Sequence, residues 1–173
     1  DASLQVSPYY NKPTQEGFYQ HFKKIADEVD LPLIIYNIPG RCGANIETAT
    51  LMRLAQHKNI VAVKEASGSL PQMMDVISQK PSGFDVLSGD DNLTLPLIAA
   101  GGVGVISVAG NLIPKEMSEF VNAILEGNYE KARKMHYNLL PLFKNLFIET
   151  NPIPVKYALS LKGLCNEVYS LPM

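Results

Sequence analysis

Short apolar runs that favour strands alternate along this chain with segments whose apolar residues recur at helical spacing. The predicted strands begin roughly 20 to 30 residues apart, as expected when each strand is followed by a helix. This alternation predicts an α/β fold with a parallel sheet and right-handed crossovers, because successive parallel strands need a long connection. The predicted strands are 4–7, 31–37, 60–64, 84–88 and 103–108, and the predicted helices between them are 17–29, 46–56, 71–79 and 93–100.

The pattern changes after the fifth strand, where helices alone are predicted, at 114–126, 129–148 and 155–162. No glycine-rich dinucleotide motif follows a strand, which disfavours a nucleotide-binding doubly wound sheet. A complete (β/α)₈ TIM barrel needs eight strands and typically about 250 residues. This chain of 173 residues offers five strands. We therefore expect part of such a barrel, about strands 4 to 8, in residues 1–110, followed by helices in 111–173, and a chain that is a fragment of a longer protein.

Composition excludes several other classes of protein. The net charge of −2 favours neither nucleic acid nor an anionic membrane as a partner. No apolar run approaches the roughly 20 residues of a membrane span. Cys42 and Cys165 lie far apart, without the spacing of a zinc site or a disulfide scaffold. We expect a cytoplasmic protein.

The predicted strand that ends at Lys64 carries the most informative residue. Its β-branched run, Ile60 to Val63, is typical of a buried parallel strand, and a barrel places its chemistry at the carboxyl ends of strands. A buried amine is costly unless it is paired or used. Two ordinary interpretations stay open: Lys64 reaches the surface with its long side chain, or it pairs with Glu65.

The carboxyl ends of the other predicted strands would meet Lys64 at the same mouth. A lysine attacks a ketone only when neutral, and both desolvation and a nearby cation favour the neutral amine. Tyrosine hydroxyls can then relay protons. Each residue also has an ordinary interpretation: core or surface aromatics, a loop cation, and a helix cap at Asp90 and Asp91. The strand ends are Tyr9 and Tyr10, Tyr36 with Arg41, Gly89 with Asp90, and Ile106 with Ser107.

Four segments together carry a specific resemblance to a known family. They are residues 36–43 (YNIPGRCG), 63–68 (VKEASG), 87–91 (LSGDD) and 102–108 (GVGVISV). In this order and spacing they resemble the 4-hydroxy-tetrahydrodipicolinate synthase (dihydrodipicolinate synthase) family of class I pyruvate-dependent aldolases. The similarity continues from residue 4 through the segment 151–156 (NPIPVK) to the end of the chain.

The resemblance implies a lyase that needs no cofactor or metal. Lys64 matches the lysine that forms a Schiff base with pyruvate, and Tyr36 matches the tyrosine of the proton relay. Tyr10 matches the relay tyrosine that crosses from a neighbouring subunit, which implies a homotetramer built as a dimer of dimers. The product of condensation with L-aspartate 4-semialdehyde, 4-hydroxy-tetrahydrodipicolinate, leads towards diaminopimelate and lysine.

The resemblance also implies three substrate-binding positions. Arg41 matches the residue that holds the carboxylate of the incoming aldehyde, a task suited to a forked guanidinium. Ile106 matches a strand-end position whose backbone contacts pyruvate. Gly89 matches a residue that lines the same pocket.

One departure leaves alternatives open. Members of the family carry three further βα units at the amino end, with a threonine pair and a glycine-rich loop that receive the pyruvate carboxylate, and these are absent from this sequence. The alternatives are an N-acetylneuraminate lyase or a 2-keto-3-deoxy sugar acid aldolase of the same superfamily, or a barrel fragment that is catalytically inert. Arg41 favours the synthase, because it suits a short carboxylated aldehyde.

Overall fold

Five parallel strands form a single sheet in the first part of the chain. They are β1 (Ser3–Val6), β2 (Leu33–Asn37), β3 (Ile60–Glu65), β4 (Asp85–Ser88) and β5 (Gly104–Val105). The computed structural model describes all residues from 1 to 173, and they form two compact units, residues 1–106 and 107–173. The sheet lies wholly in the first unit.

The strands lie in the sheet in the order in which they occur in the chain, and each is parallel to the next. A doubly wound sheet would instead reverse its order at a switch point. With right-handed crossovers, sequential order places every connecting helix on the same face of the sheet. The predicted α/β fold with a parallel sheet is confirmed.

Capping side chains set the beginnings of two of the connecting helices. The helices of this unit are α1 (Gln15–Glu28), α2 (Pro39–Cys42), α3 (Thr48–Leu54), α4 (Leu70–Gln79) and α5 (Thr94–Ala99), with a 3₁₀ turn at Asp91–Leu93. Thr14 accepts a hydrogen bond from the Gly17 N–H at 3.2 Å, and Ser69 accepts one from the Gln72 N–H at 3.3 Å. These oxygens satisfy backbone N–H groups that the first turn of a helix leaves unpaired.

The core lies between these helices and one face of the sheet. Aromatic side chains recur at helical spacing on α1 and are completely buried, as are several strand residues, which is typical of a parallel sheet covered by helices. The completely buried side chains include Phe18 and Phe22 from α1 and Leu33, Ile35, Val63 and Val86 from the strands.

The opposite face of the sheet is more exposed. Along β2 the first, third and fifth residues are buried, whereas Ile34 and Tyr36 between them are partly exposed. Their register partners on β1, Leu4 and Val6, are 42% and 45% exposed. Lys64 is the register partner of Tyr36 and lies on the same face. We call the face that carries these five residues the open face.

The helix predicted at 46–56 is shorter than expected. It begins at Thr48, after Glu47, and Asn45, a residue type that favours helix N-caps, does not cap it. The Asn45 side chain is hydrogen-bonded instead to Asn37 and Gln72. A tertiary contact therefore replaces the local capping bond.

Two other predicted elements differ in extent. The segment 38–43 lies outside every predicted element, yet it contains the single helical turn α2, which is capped by Gly43 with φ 68°. The strand predicted at 103–108 is regular only over Gly104–Val105, although the N–H groups of Val103 and Ile106 also donate to carbonyl oxygens of β4.

The second unit is helical. It contains a 3₁₀ turn at Ala109–Asn111 and the helices α6 (Pro114–Leu125), α7 (Tyr129–Asn145) and α8 (Ile153–Leu161). Phe120 of α6 and Phe143 of α7 pack with ring centroids 6.3 Å apart. Throughout the structure, every helix is too short or too polar to cross a membrane.

Candidate active site

Lys64 lies one residue before the end of β3 and is only 8% exposed. Burial lowers the pKa of its amine, because the protonated form loses hydration, while the charges of Asp90 and Asp91 act in the opposite direction. The net effect is an amine that releases its proton more readily than a surface lysine. A nucleophilic lysine requires this property.

Tyr36 lies directly beside Lys64 on the neighbouring strand. The Lys64 Nζ atom is 4.0 Å from the centroid of the Tyr36 ring, a distance at which the ring face attracts a protonated amine. Burial raises the pKa of the Tyr36 phenol; the Arg41 charge opposes this effect, and the Asp90 charge adds to it. The phenol therefore keeps its proton near neutral pH, and its ring lies beside the amine.

Gly89 brings the end of β4 against the Lys64 side chain. Its N–H donates to the Glu65 carbonyl oxygen at 2.8 Å. A Cβ atom at this position would lie 2.5 Å from the Ala66 Cβ and 3.2 Å from the Lys64 Cε. Only glycine fits without a shift of its neighbours, so the close approach depends on the missing side chain.

Arg41 follows Tyr36 by five residues and is carried by the helical turn α2. Its side chain is exposed, and its charge lowers the pKa of Tyr36. The guanidinium is therefore within electrostatic reach of the phenol. A forked, permanently charged group at the edge of a site suits a ligand carboxylate.

The remaining two predicted residues are placed differently. Ile106 continues the ladder beyond β5, because its N–H donates to the Ser88 carbonyl oxygen at 2.9 Å, and it lies at the same end of the sheet as Lys64. Tyr10 follows β1 and is 93% exposed. A single chain therefore does not bring the Tyr10 phenol to the Lys64 amine.

Asp90 contributes to the site in a way that the sequence did not reveal. The sequence allows Asp90 as a helix cap, but its side chain makes no capping bond. Burial raises the pKa of its carboxyl, as do Asp91 and Glu65, whereas Lys64 lowers it. In the sequence, the signal for this role is that Asp90 directly follows Gly89 at the end of a strand. This position places the charge of Asp90 near both Lys64 and Tyr36.

Glu65 does not form the expected ion pair. Its carboxylate accepts hydrogen bonds from the Ser67 N–H at 2.8 Å and from Asn37 Nδ2 at 3.1 Å. The alternative that Lys64 pairs with Glu65 is wrong, because neighbouring residues of a strand point to opposite faces. Lys64 also fails to reach the surface, so both ordinary interpretations of this lysine are excluded.

No cluster of three or more His, Cys, Asp or Glu side chains able to hold a metal ion occurs in the structure. An apolar cavity of about 500 Å³ lies in the second unit, against α7 and α8. It contains none of the residues discussed above, so cavity volume does not identify the chemical site. The Lys64–Tyr36 pair is the stronger candidate for it, because a buried amine with a lowered pKa lies beside a tyrosine ring at a strand end.

Comparisons with known proteins agree along the whole chain. The profile of the dihydrodipicolinate synthetase family matches residues 1–173. The 4-hydroxy-tetrahydrodipicolinate synthase of Koribacter versatilis is 62% identical over 173 residues, which are 100% of this chain and 58% of that protein. The enzyme of the same name from Prosthecochloris aestuarii is 53% identical over 174 residues and is covered to 59% of its length.

Solved structures show the same backbone. Dihydrodipicolinate synthase from Aquifex aeolicus superposes with a TM-score of 0.96 at 51% identity, over 98% of this chain and 58% of that one. The chloride-inhibited enzyme from Acinetobacter baumannii, complexed with pyruvate, gives a TM-score of 0.97 at 44% identity, over 100% of this chain and 60% of that one.

The match covers nearly all of this chain but only part of each relative. The chain spans about 58% of the length of the curated relatives that it matches, yet nearly all of its own residues are covered. Identity above 40% along its whole length, in sequence and in structure, shows descent as well as a shared fold. The chain belongs to the dihydrodipicolinate synthetase family.

Proposed function

We propose that this chain provides the Schiff-base chemistry of a lyase that condenses pyruvate with L-aspartate 4-semialdehyde to give 4-hydroxy-tetrahydrodipicolinate, in the biosynthesis of diaminopimelate and lysine. One observation carries the proposal: the buried amine of Lys64, its pKa lowered by desolvation, lies 4.0 Å from the ring centroid of Tyr36 at a strand end. Its relatives are named as synthases of this product.

The first half of the reaction uses Lys64 as nucleophile. The neutral amine attacks the ketone carbon of pyruvate, and the resulting carbinolamine loses water to give an iminium. The iminium withdraws electrons from the adjacent methyl carbon, so a proton can leave it and an enamine forms. Tyr36 is the proposed group for moving protons to and from the departing oxygen, because its phenol lies beside the amine.

In the second half, the enamine carbon attacks the aldehyde and forms the new carbon–carbon bond. The amino group of the aldehyde substrate then attacks the iminium carbon, which closes the ring and releases Lys64. Arg41 is the proposed partner of the aldehyde's carboxylate. Gly89 leaves the space beside Lys64, and the backbone at Ile106 is the proposed contact for pyruvate.

We further propose that residues 1–110 are about strands 4 to 8 of a (β/α)₈ barrel. The sequential parallel order of the strands and the open face both support this arrangement, because the interior of a barrel is one face of a closed sheet. In such an assembly the exposed Tyr10 would complete the relay of a neighbouring subunit in a homotetramer.

Borohydride trapping tests the first chemical step. Incubation of the 173-residue chain with pyruvate, followed by reduction, should add one reduced pyruvyl group to Lys64, because reduction fixes the iminium as a stable amine. Peptide mass spectrometry locates the addition. Lys64→Ala should abolish it, and the exposed Lys58 of the same chain serves as an internal control that stays unmodified.

Two outcomes of this experiment would contradict the proposal. An adduct retained in Lys64→Ala would move the nucleophile elsewhere. Complete absence of an adduct in the unsubstituted chain would favour the alternative that the 173 residues are catalytically inert on their own.

A further inference from the structure

A network of buried polar side chains lies directly behind the Lys64–Tyr36 pair. Glu65 and Asn37 are the residues that follow this pair on β3 and β2, and both are completely buried. They are register partners, as Lys64 and Tyr36 are. Because side chains alternate along a strand, the two register pairs project to opposite faces of the sheet.

Glu65 is the centre of the network. Its carboxylate accepts hydrogen bonds from the Ser67 N–H at 2.8 Å, from Asn37 Nδ2 at 3.1 Å and from Gln72 Nε2 at 3.4 Å. All three donors are neutral, and Glu65 takes part in none of the ion pairs of the structure. Both oxygens of the Glu65 carboxyl group therefore act as acceptors, and neutral donors alone hold them.

Asn37 extends the network to the segment that carries Arg41. Its Oδ1 accepts from the Ile46 N–H at 3.0 Å, and its Nδ2 donates to Asn45 Oδ1 at 2.9 Å. Gln72 links Asn45 back to Glu65, since its Oε1 accepts from Asn45 Nδ2 at 2.8 Å. The segment 38–44, which includes Arg41, is therefore fixed at both of its ends.

A buried carboxylate without a cationic partner costs folding free energy, because neutral donors replace its hydration only in part. If these side chains only filled space, apolar side chains of similar size would pack equally well. The cost is explained if the network has a task that needs strong, directional bonds at this place. The groups that it holds are the ends of β2 and β3 and the two ends of the Arg41 segment.

We propose that Glu65 is a positioning residue for the Schiff-base step: its bonds to Asn37, Ser67 and Gln72 fix the Lys64 amine against the Tyr36 phenol from the opposite face of the sheet. This inference rests on the proposed function. It assigns no contact between Glu65 and substrate. A misplacement of about 1 Å at reacting groups can cost about a hundredfold in rate.

Glu65→Gln is the direct test, since it keeps the shape but introduces an NH₂ group that faces the donors of Asn37 and Gln72. Asn37 cannot turn its amide without losing the bond from Ile46. We expect the rate constant of pyruvate trapping on Lys64 to fall by about tenfold to a hundredfold. The final yield should stay at that of the unsubstituted chain, because the residue is still there to react. Glu47→Gln, at an exposed position, is the matched control. We expect it to leave the rate constant of trapping unchanged.

The combination of rate constant and yield separates positioning from loss of fold. Partial unfolding would lower the yield and leave the rate constant of the folded fraction unchanged, and this result would overturn the proposal. So would an unchanged rate constant in folded Glu65→Gln. A reciprocal exchange, Asn37→Asp with Glu65→Gln, returns an acceptor to both strand ends; we expect the rate constant to recover to within about threefold of the unsubstituted chain. No recovery would also count against the proposal.

Two further experiments apply if Glu65→Gln does not fold or if the unsubstituted chain forms no adduct. If Glu65→Gln does not fold, Asn45→Ala removes the outer part of the network at a half-buried position and should still slow trapping, whereas an unchanged rate would overturn the proposal. If the unsubstituted chain forms no pyruvate adduct, the proposed function fails, and reductive methylation of Lys64 by formaldehyde replaces trapping. Release of the buried amine should then raise its methylation rate severalfold in Glu65→Gln over Glu47→Gln, and equal rates would overturn the positioning role.

Discussion

At Lys64, desolvation and two nearby carboxylates act in opposite directions on one amine. Desolvation is the stronger effect and lowers the pKa of Lys64 from its ordinary value of 10.5, although Asp90 and Asp91 both favour the protonated form. The two carboxylates thus stabilise the protonated amine, whereas burial favours the neutral amine, and burial prevails. This balance also has a measurable consequence for stability.

We expect Lys64→Met to be more stable than the unsubstituted chain at neutral pH. The folded chain binds the Lys64 proton less tightly than the unfolded chain, so protonation of this residue opposes folding at every pH below its folded pKa. The effect shrinks as the pH rises and vanishes above the unfolded value of 10.5, where the amine is neutral in both states. Urea unfolding of both chains at pH values from 7 to 10.5 measures the difference in their free energies of unfolding.

Lys58→Met, at an exposed position, is the control for this comparison. The free energy of unfolding of Lys58→Met should stay within about 0.5 kcal/mol of that of the unsubstituted chain. A stability gain in Lys64→Met that did not depend on pH would show that packing, and not protonation, is responsible.

Arg41 separates the two substrates. Arg41→Ala should leave pyruvate trapping on Lys64 largely intact, because the first step needs only the amine and a proton donor. Use of the semialdehyde should fall by about tenfold or more with the loss of a charge-assisted bidentate contact. The measurement compares adduct formation with the consumption of L-aspartate 4-semialdehyde.

Arg53→Ala provides the matched arginine, since Arg53 is exposed and pairs with Glu16 on the helical side of the unit. It should affect neither step. Equal loss of both steps in Arg41→Ala would mean that Arg41 supports the fold or the pyruvate pocket. Intact use of the semialdehyde would instead show that Arg41 does not hold the carboxylate of this substrate.

At the scale of elements, the sequence was informative where a local signal decides the structure and misleading where a distant partner does. The five strands, the cap of α1 at Thr14 and the first-turn position of Pro71 in α4 follow from local patterns. Asn45 shows the limit: its residue type favours a helix cap, but its side chain bonds to Asn37 on β2 and to Gln72 on α4.

The candidate site divides in the same way. Lys64 and Tyr36 were predictable because each ends a strand, and parallel strands bring such residues together. Their 4.0 Å approach needed the register of β2 against β3, which no local pattern encodes. The bond between Glu65 and Asn37 was hidden for the same reason, since it joins two strands that are 28 residues apart in the chain.

For the molecule as a whole, the open face has a physical cost. It leaves apolar side chains accessible beside an edge strand, β1, whose backbone groups are free on one side. We expect the 173-residue chain to self-associate as its concentration rises, and Leu4→Lys to reduce this association, because a charge on an edge strand disfavours pairing. Sedimentation velocity over a range of concentrations measures it.

Val29→Lys gives a control of equal exposure away from the sheet, at the end of α1. It should leave the association unchanged. A chain that stays monomeric at all concentrations, or an equal response to both substitutions, would show that the open face is not the site of association.

The strand-end dipeptides Tyr36-Asn37 and Lys64-Glu65 have an evolutionary consequence. Each encodes a residue of the open face next to a residue of the covered face, so a single short stretch of gene specifies both. Duplication or exchange of one strand during evolution would carry the two residues together. The tuning of such a site can then shift to outlying positions, such as Asn45 and Gln72, where substitutions alter the chemistry gradually and leave the reactive groups unchanged.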